Sequence, residues 1–171
     1  MKGLIVSSLQ PIGSEVRDVL LSAALELSRI APVLPLCHVI DGKCSCGKEK
    51  CSSPGKHPII KRGLKAASQD EQLVIGWWTK FPDANIGLCT GNELVVIDVD
   101  GPLGEKILRQ DIEKVGELPD TRVVLTGKGR HLYFRKPASI KITNLKPEHW
   151  EQIDIRGDGG YVVAPPSLHR S

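Results

Sequence analysis

Asp98 and Asp100 end an apolar run, Leu94-Val95-Val96-Ile97-Asp98-Val99-Asp100-Gly101, at positions i and i+2. On a strand that spacing sends both carboxylates to one face. Two anions held so close repel unless a cation lies between them, which points to Mg²⁺ or Mn²⁺. The plain alternative is a pair of turn-forming aspartates ahead of Gly101. A third carboxylate, Asp154 in Ile153-Asp154-Ile155-Arg156-Gly157, has apolar neighbours on both sides and so points away from the side they bury. Beside Asp98 and Asp100 it would complete a three-carboxylate, two-metal cluster suited to in-line phosphoryl or nucleotidyl transfer. Otherwise it is a surface aspartate paired with Arg156. Thr126-Gly127-Lys128-Gly129-Arg130-His131-Leu132-Tyr133-Phe134 is a Gly-rich turn running into a strand. Its amides, with Lys128, Arg130 and His131, form a phosphate cradle. The spacing is not that of a P-loop, and no helix follows.

A different chemistry is written in Cys44-x-Cys46-x4-Cys51-x5-His57, three thiols and one imidazole within 14 residues. Zinc takes four N/S ligands in a tetrahedron, and a Gly/Lys/Ser-rich loop can wrap to supply them. Gly47 and Gly55 provide the tight turns that wrapping needs. Disulfides are disfavoured because the five cysteines are odd in number and nothing suggests export. Cys37 or His38 could replace one ligand, so the fourth ligand stays open at this stage. Cys89, inside a strand, reads as an inert core residue.

These residues need elements to position them. Leu4–Val6 reads as a strand, and a helix follows with Ser14 as N-cap and Val16, Leu20, Leu21, Ala24 and Leu27 on one face. Pro32 stops it, and Val33–Leu36 runs extended. Residues 37–58 show no periodicity and hold four of the five cysteines, so something other than a core must order them. Ser68 and Glu71 form a capping box for a second helix whose apolar face is Leu73, Val74, Trp77 and Trp78. Asn85–Cys89 and Leu94–Ile97 read as a hairpin across the Gly91-Asn92 turn. Pro102–Gly116 is an amphipathic helix with Leu103, Ile107, Leu108, Ile112 and Val115 inward. Strands are expected at 122–125, 131–135, 152–156 and 161–164. Without strict β-α-β alternation, this predicts an α+β fold with a mixed β-sheet and packed helices.

Charge is segregated along the chain. Residues 41–65 sum to +5 and 121–171 to +5, with −7 over 66–120 between them, although the total is only +3. Such a pattern fits a protein that grips a polyanion while holding carboxylates for another purpose. With zinc bound, the first basic block would be a rigid mount for Lys43, Lys48, Lys50, Lys56, Lys61, Arg62 and Lys65. The 171 residues suit about one domain. No apolar run approaches the ~20 residues of a membrane span and no signal peptide is evident, so a cytoplasmic location is expected. The chain ends directly after a strand, at Pro165-Pro166-Ser167-Leu168-His169-Arg170-Ser171, which reads as a cut within a longer protein.

In combination these motifs resemble the primase-polymerase (prim-pol) domain of the archaeo-eukaryotic primase superfamily. The resemblance spans about residues 34–171. It is carried by Cys-Ser-Cys-Gly with Cys51, Ser-Pro-Gly-Lys-His-Pro at 53–58, the Trp77-Trp78 helix, Ala84-Asn85-Ile86-Gly87, and Val96–Asp100. The Thr126–Phe134 run, Ile153–Gly157 and Tyr161–Ser167 complete it. The resemblance implies one catalytic domain over 1–171, with an N-terminal α/β part, a catalytic part like an RNA-recognition-motif sheet, and a zinc knuckle at about 37–58. It implies that Asp98, Asp100 and Asp154 hold catalytic Mg²⁺ or Mn²⁺, that His131 helped by Arg130 contacts nucleotide phosphates, and that the Cys-His loop holds structural Zn²⁺. Where the family writes Ser-x-His, position 129 is Gly. The implied activity is template-directed DNA primase/polymerase chemistry on (deoxy)nucleoside triphosphates, with single-stranded DNA template and primer as partners. A helicase domain often follows in such chains. Two other readings compete: a non-catalytic zinc-knuckle module that binds nucleic acid, and a two-metal nuclease. A nuclease needs no triphosphate cradle, which disfavours the last.

Overall fold

The computed structural model describes residues 12–168. The strand expected at Leu4–Val6 lies outside the described residues. Helix α1 spans Ile12–Ser28, so Ser14 sits inside its first turn instead of capping it. Strand β1 (Val33–Leu36) is wholly buried. The metal-ligand loop folds as a small hairpin of β2 (Val39–Ile40) and β3 (Lys43–Cys44) followed by irregular backbone. A 3₁₀ turn at Gly63–Ala66 leads to α2 (Glu71–Lys80). The cap of α2 is two residues later than expected: Asp70 Oδ1 accepts from Leu73 N at 2.8 Å, while Ser68 Oγ accepts from Asp70 N at 3.0 Å. Either carboxylate or hydroxyl can satisfy an orphan amide, and the turn made by Ser68 hands that task to Asp70.

The remaining elements are β4 (Asn85–Cys89), β5 (Leu94–Asp100), α3 (Gly101–Val115), β6 (Arg122–Leu125), β7 (Gly129–Arg135), β8 (Ile153–Arg156) and β9 (Tyr161–Ala164). They confirm an α+β fold. The named strands form a three-stranded sheet β1-β4-β9, the β2-β3 ribbon, and a four-stranded sheet β6-β7-β5-β8. Every pairing between them is antiparallel, so the sheets are antiparallel and not mixed. The expected β4–β5 hairpin does not form. The Gly91-Asn92 turn closes with one bridge to Leu94 and passes the chain from one sheet to the other. β4 is buried along nearly its whole length, and its partners on both sides come from distant sequence, β1 and β9.

Two apolar clusters hold the sheets. Leu20 and Ala24 of α1, Val74 and Trp78 of α2, and the strands of the three-stranded sheet form the first, which Val96 of β5 also joins. Trp78 is buried, with its indole donating to the Ala84 carbonyl at 3.1 Å. The second lies under α3, where Leu108 meets Val99, Leu132 and Ile153 on the back of the four-stranded sheet. Ile107 and Ile112 pack there as expected, whereas Leu103 and Val115 are exposed. Trp150 packs at the cluster's margin and donates to Asp111 of α3 at 2.6 Å. With α3 filling the back of this sheet, the opposite face is left for the cleft. Among the described residues no helix is long and apolar enough to cross a membrane.

Candidate active site and metal-ligand cluster

β5 lies between β7 and β8, and register decides the rest. Asp98 stands directly opposite His131 of β7 on one side and Asp154 of β8 on the other. Two residues on, Asp100 faces Gly129 across the β5–β7 pair. Residues facing each other in register share a face, so Asp98, Asp154 and His131 form a row across three strands with Asp100 one step beyond. Register thus sets Asp154 opposite Asp98 and Asp100 two residues along the same face of β5, while the group of three or more ligand atoms close enough to hold a metal among the described residues is the Cys-His one alone. Asp100 also begins α3, yet its side chain makes no cap hydrogen bond, so a turn-forming role does not account for it.

Asp98 is the best-contacted of the three. His131 Nε2 lies 3.3 Å from its Oδ1, and Arg156 Nη2 lies 3.9 Å from its Oδ2. Burial pushes the Asp98 carboxyl upward, but the His131 hydrogen bond and the charges of His131, Arg156 and Lys56 outweigh it and hold the group below the usual carboxylate range. Arg156 also donates to Asp154 Oδ2 at 2.7 Å, so the ion pair expected for an isolated surface aspartate exists alongside the carboxylate row. The other oxygen, Asp154 Oδ1, is buried and accepts no hydrogen bond; Lys146 Nζ lies 4.0 Å away. A buried, unpartnered carboxylate oxygen is a hard donor of the kind that a divalent cation would satisfy. The Tyr133 hydroxyl sits 3.5 Å from Nδ1 of His131, and burial pushes the Tyr133 phenol up to about 12, so it stays neutral.

Beside the row lies a cleft of about 540 Å³, which Asp98 and His131 line and Asp154 does not. Asp98, Asp100, His131 and Lys128 line it, as sequence alone suggested. Arg130 does not join them. Neighbouring strand residues alternate, so Arg130 turns to the α3 side and makes a two-pronged pair with Glu105, both bonds at 2.8 Å. Arg156 and Lys56 take places in the cleft instead. A signal for Arg156 was present in its i+2 spacing from Asp154, and one for Lys56 in its position next to His57.

The glycine at position 129 has a steric cause. A Cβ there would run into the carbonyl of Val99 on the paired strand, so no serine fits where the family motif has one. Gly129→Ser is expected to cost about 1–3 kcal/mol, the range for forced overpacking, because the obstacle is backbone. Thermal melts of the variant and the parent check this; an unchanged Tm contradicts it.

The sulfur and nitrogen atoms of Cys44, Cys46, Cys51 and His57 all lie within 4.8 Å of one another. That donor set fits tetrahedral zinc. Gly47 and Gly55 have φ of 74° and 73°, the left-handed turns the wrapping requires. His57 directs Nε2 toward Cys44 Sγ at 3.4 Å, and Cys37 Sγ lies 3.6 Å from Nδ1 on the far side of the ring. Cys37 thus stands behind the imidazole and orients it, outside the set of four. Burial pushes the Cys37 thiol up to about 11, so it remains protonated. Burial also pushes Cys44 upward, but hydrogen bonds from the Cys46 and Gly55 amides and from the Cys46 and Cys51 side chains bring it down to about 6. His38 lies outside the four as well, with its Nδ1 buried and unpartnered. The five cysteines form no disulfide.

A family model described as bifunctional DNA primase/polymerase, N-terminal, matches residues 23–171. No curated protein and no solved structure matches the chain.

Proposed function

The chain belongs to the Prim-Pol family of bifunctional DNA primase/polymerases, and on that premise we propose that its cleft joins nucleotides on a single-stranded DNA template. The observation that carries this reading is the row Asp98–Asp154–His131 across β8, β5 and β7, with Asp100 beside it and Lys128 at the rim. Asp98, Asp100 and Asp154 would hold Mg²⁺ or Mn²⁺, which lower the pKa of the attacking hydroxyl and neutralise charge on the reacting phosphates. His131, buried and backed by Tyr133 at Nδ1, would keep Asp98 placed through Nε2 at the edge of the nucleotide's phosphates. Lys128, on the turn before β7, lines the cleft and would meet the triphosphate. The strand order β6-β7-β5-β8, with α3 linking β5 to β6, supports the RNA-recognition-motif-like reading of this catalytic part. We read residues 1–171 as one such domain, acting in the cytoplasm.

Single-stranded DNA would cross the basic knuckle. Lys43, Lys48, Lys50, Lys61, Arg62 and Lys65 are all exposed. If about five phosphates are neutralised, log K for a single-stranded oligonucleotide should fall against log salt with a slope near −3.5. A titration by fluorescence anisotropy across salt concentrations reads this slope, and a flat line contradicts a phosphate grip.

The deciding experiment is incorporation of labelled nucleotides on a single-stranded template with Mg²⁺ or Mn²⁺, with and without primer. Extension, or synthesis of new primers, supports the reading. Degradation of labelled DNA without incorporation means a two-metal nuclease. DNA binding that survives loss of all three aspartates, with no incorporation by the parent protein, means a non-catalytic binding module.

A further inference from the structure

The segment that carries the metal ligands is also a wall of the catalytic cleft. Ser53, Lys56 and His57 line the same space as Asp98, Lys128 and Arg156. Three contacts hold this segment in place. Buried Asn85 of β4 donates from Nδ2 to the Gly55 carbonyl at 2.9 Å. The Tyr161 hydroxyl of β9 donates to the Lys56 carbonyl at 2.9 Å. The Cys37 amide donates to the His57 carbonyl at 2.8 Å. Gly55 lets the backbone come this close, since a Cβ would sit 3.1 Å from Val39 and 3.3 Å from Asn85. Lys56 is therefore clamped through its own backbone, and its neighbour His57 belongs to the metal-ligand cluster.

The side chain of Lys56 is uncommitted. Among the described residues it forms no ion pair, whereas Arg156 is held by Asp154 and Arg130 by Glu105. Of the lysines and arginines lining the cleft, Lys56 and Lys128 are the two without a carboxylate partner. Lys56 is near enough to contribute to the field that keeps Asp98 ionised. A cleft of about 540 Å³ is the size of a small-ligand site.

Resting on the nucleotidyl-transfer reading above, we propose that Lys56 binds the triphosphate of the incoming nucleotide, and that the metal-ligand loop positions it through His57 while Tyr161 positions it through the Lys56 carbonyl. The knuckle then has two duties on two surfaces: outward lysines hold template, and Lys56 reaches inward to the nucleotide. Tyr161 and the metal ligands are positioning residues here, and Lys56 is the contact.

The test is equilibrium binding of a non-hydrolysable nucleoside triphosphate in Mg²⁺, run beside binding of a single-stranded oligonucleotide. Lys56→Ala should weaken nucleotide binding about tenfold, as expected for loss of one charged contact. It should leave oligonucleotide Kd and zinc content unchanged, and Lys56→Arg should restore most of the loss. Tyr161→Phe, which removes one hydroxyl, should weaken nucleotide binding less than Lys56→Ala and have no further effect in the Lys56→Ala background. In Cys51→Ser protein the Lys56→Ala substitution should also add nothing, because the loop no longer presents the lysine. Unchanged nucleotide Kd in Lys56→Ala overturns the proposal, as does a rise in oligonucleotide Kd in its place. Additive losses in the Cys51→Ser and Lys56→Ala pair overturn the positioning role. Because the readout is binding, a parent protein that binds nucleotide through Lys56 without incorporating it sinks the polymerase reading alone. An active parent with an indifferent Lys56→Ala sinks only this inference.

Discussion

Asp98→Ala is expected to abolish nucleotide incorporation and to leave the protein folded with its zinc content unchanged. Asp98 is the centre of the row, facing Asp154 on one side and His131 on the other, so no neighbouring carboxylate can take over its geometry. Removing a ligand that places a catalytic cation is worth several kcal/mol of transition-state stabilisation, so the rate should fall by roughly 10³-fold or more. The fold should tolerate the change. The apolar packing of β5 comes from Val96 and Val99, both fully buried, and neither is touched. Losing the His131 contact is partly offset by relief of repulsion between facing carboxylates. Asp98→Asn, of nearly equal shape, should be as inactive as Asp98→Ala, because on the proposed reading the negative charge is what would bind the cation. Primer extension under saturating nucleotide measures this, with circular dichroism and metal analysis as controls. Extension within tenfold of the parent by either variant contradicts the assignment.

Removing zinc should disorder the 37–58 loop and lower the stability of the whole chain. Structural zinc contributes an apparent ~10–16 kcal/mol to ordering its ligands, far more than any other local contact available to this loop. The loop has little else to rely on, because Cys37, Cys44 and Gly55 are the buried residues in a stretch otherwise exposed or half-exposed. Purified protein should hold one zinc per chain, and a strong chelator should expose the loop to limited proteolysis near Lys48 and Lys50. Cys44→Ser should do the same without chelator. The effect is pH-dependent with a definite sign. In the metal-free loop, hydrogen bonds hold the Cys44 thiol below its ordinary value, so its contribution is present above that value and is lost as pH falls through about 6. With zinc bound, protons compete with the metal for the ligand thiolates, so zinc release and proteolytic sensitivity should rise together on acidification. A chain that contains no zinc as purified, or whose loop resists protease after chelation, contradicts the structural role. Loss of nucleotide binding should follow from the same treatment if Lys56 depends on the loop.

Much of the chemistry was legible in the chain because it is written in short, local spacing. Cys44, Cys46, Cys51 and His57 lie within one loop, and a short loop leaves few ways to arrange four ligands. Asp98 and Asp100 share a face by strand alternation alone, and the apolar runs around them left no doubt that a strand carried them. The amphipathic pattern of α3 and the apolar face of α2 follow from 3.6-residue periodicity. Local capping was less legible: Ser68 and Asp70 can each cap α2, and the turn that chooses between them is stabilised by Gln69 donating to the Ser28 carbonyl of α1.

What only tertiary structure decided is which distant segments meet. The Gly91-Asn92 turn suggests a hairpin, yet β4 finds β1 and β9 while β5 finds β7 and β8, partners that all come from distant sequence. That partition brings Asp154, more than 50 residues along the chain, opposite Asp98. It also turns Arg130 away: alternation says that Arg130 and His131 face opposite sides, but only the packing of α3 on the back of the sheet says which side is the cleft. Lys56 and Arg156 enter for the same reason, delivered by backbone contacts to β9 and by register with β5. Spacing along the chain specifies what a residue can do. Non-local burial specifies what it does it with.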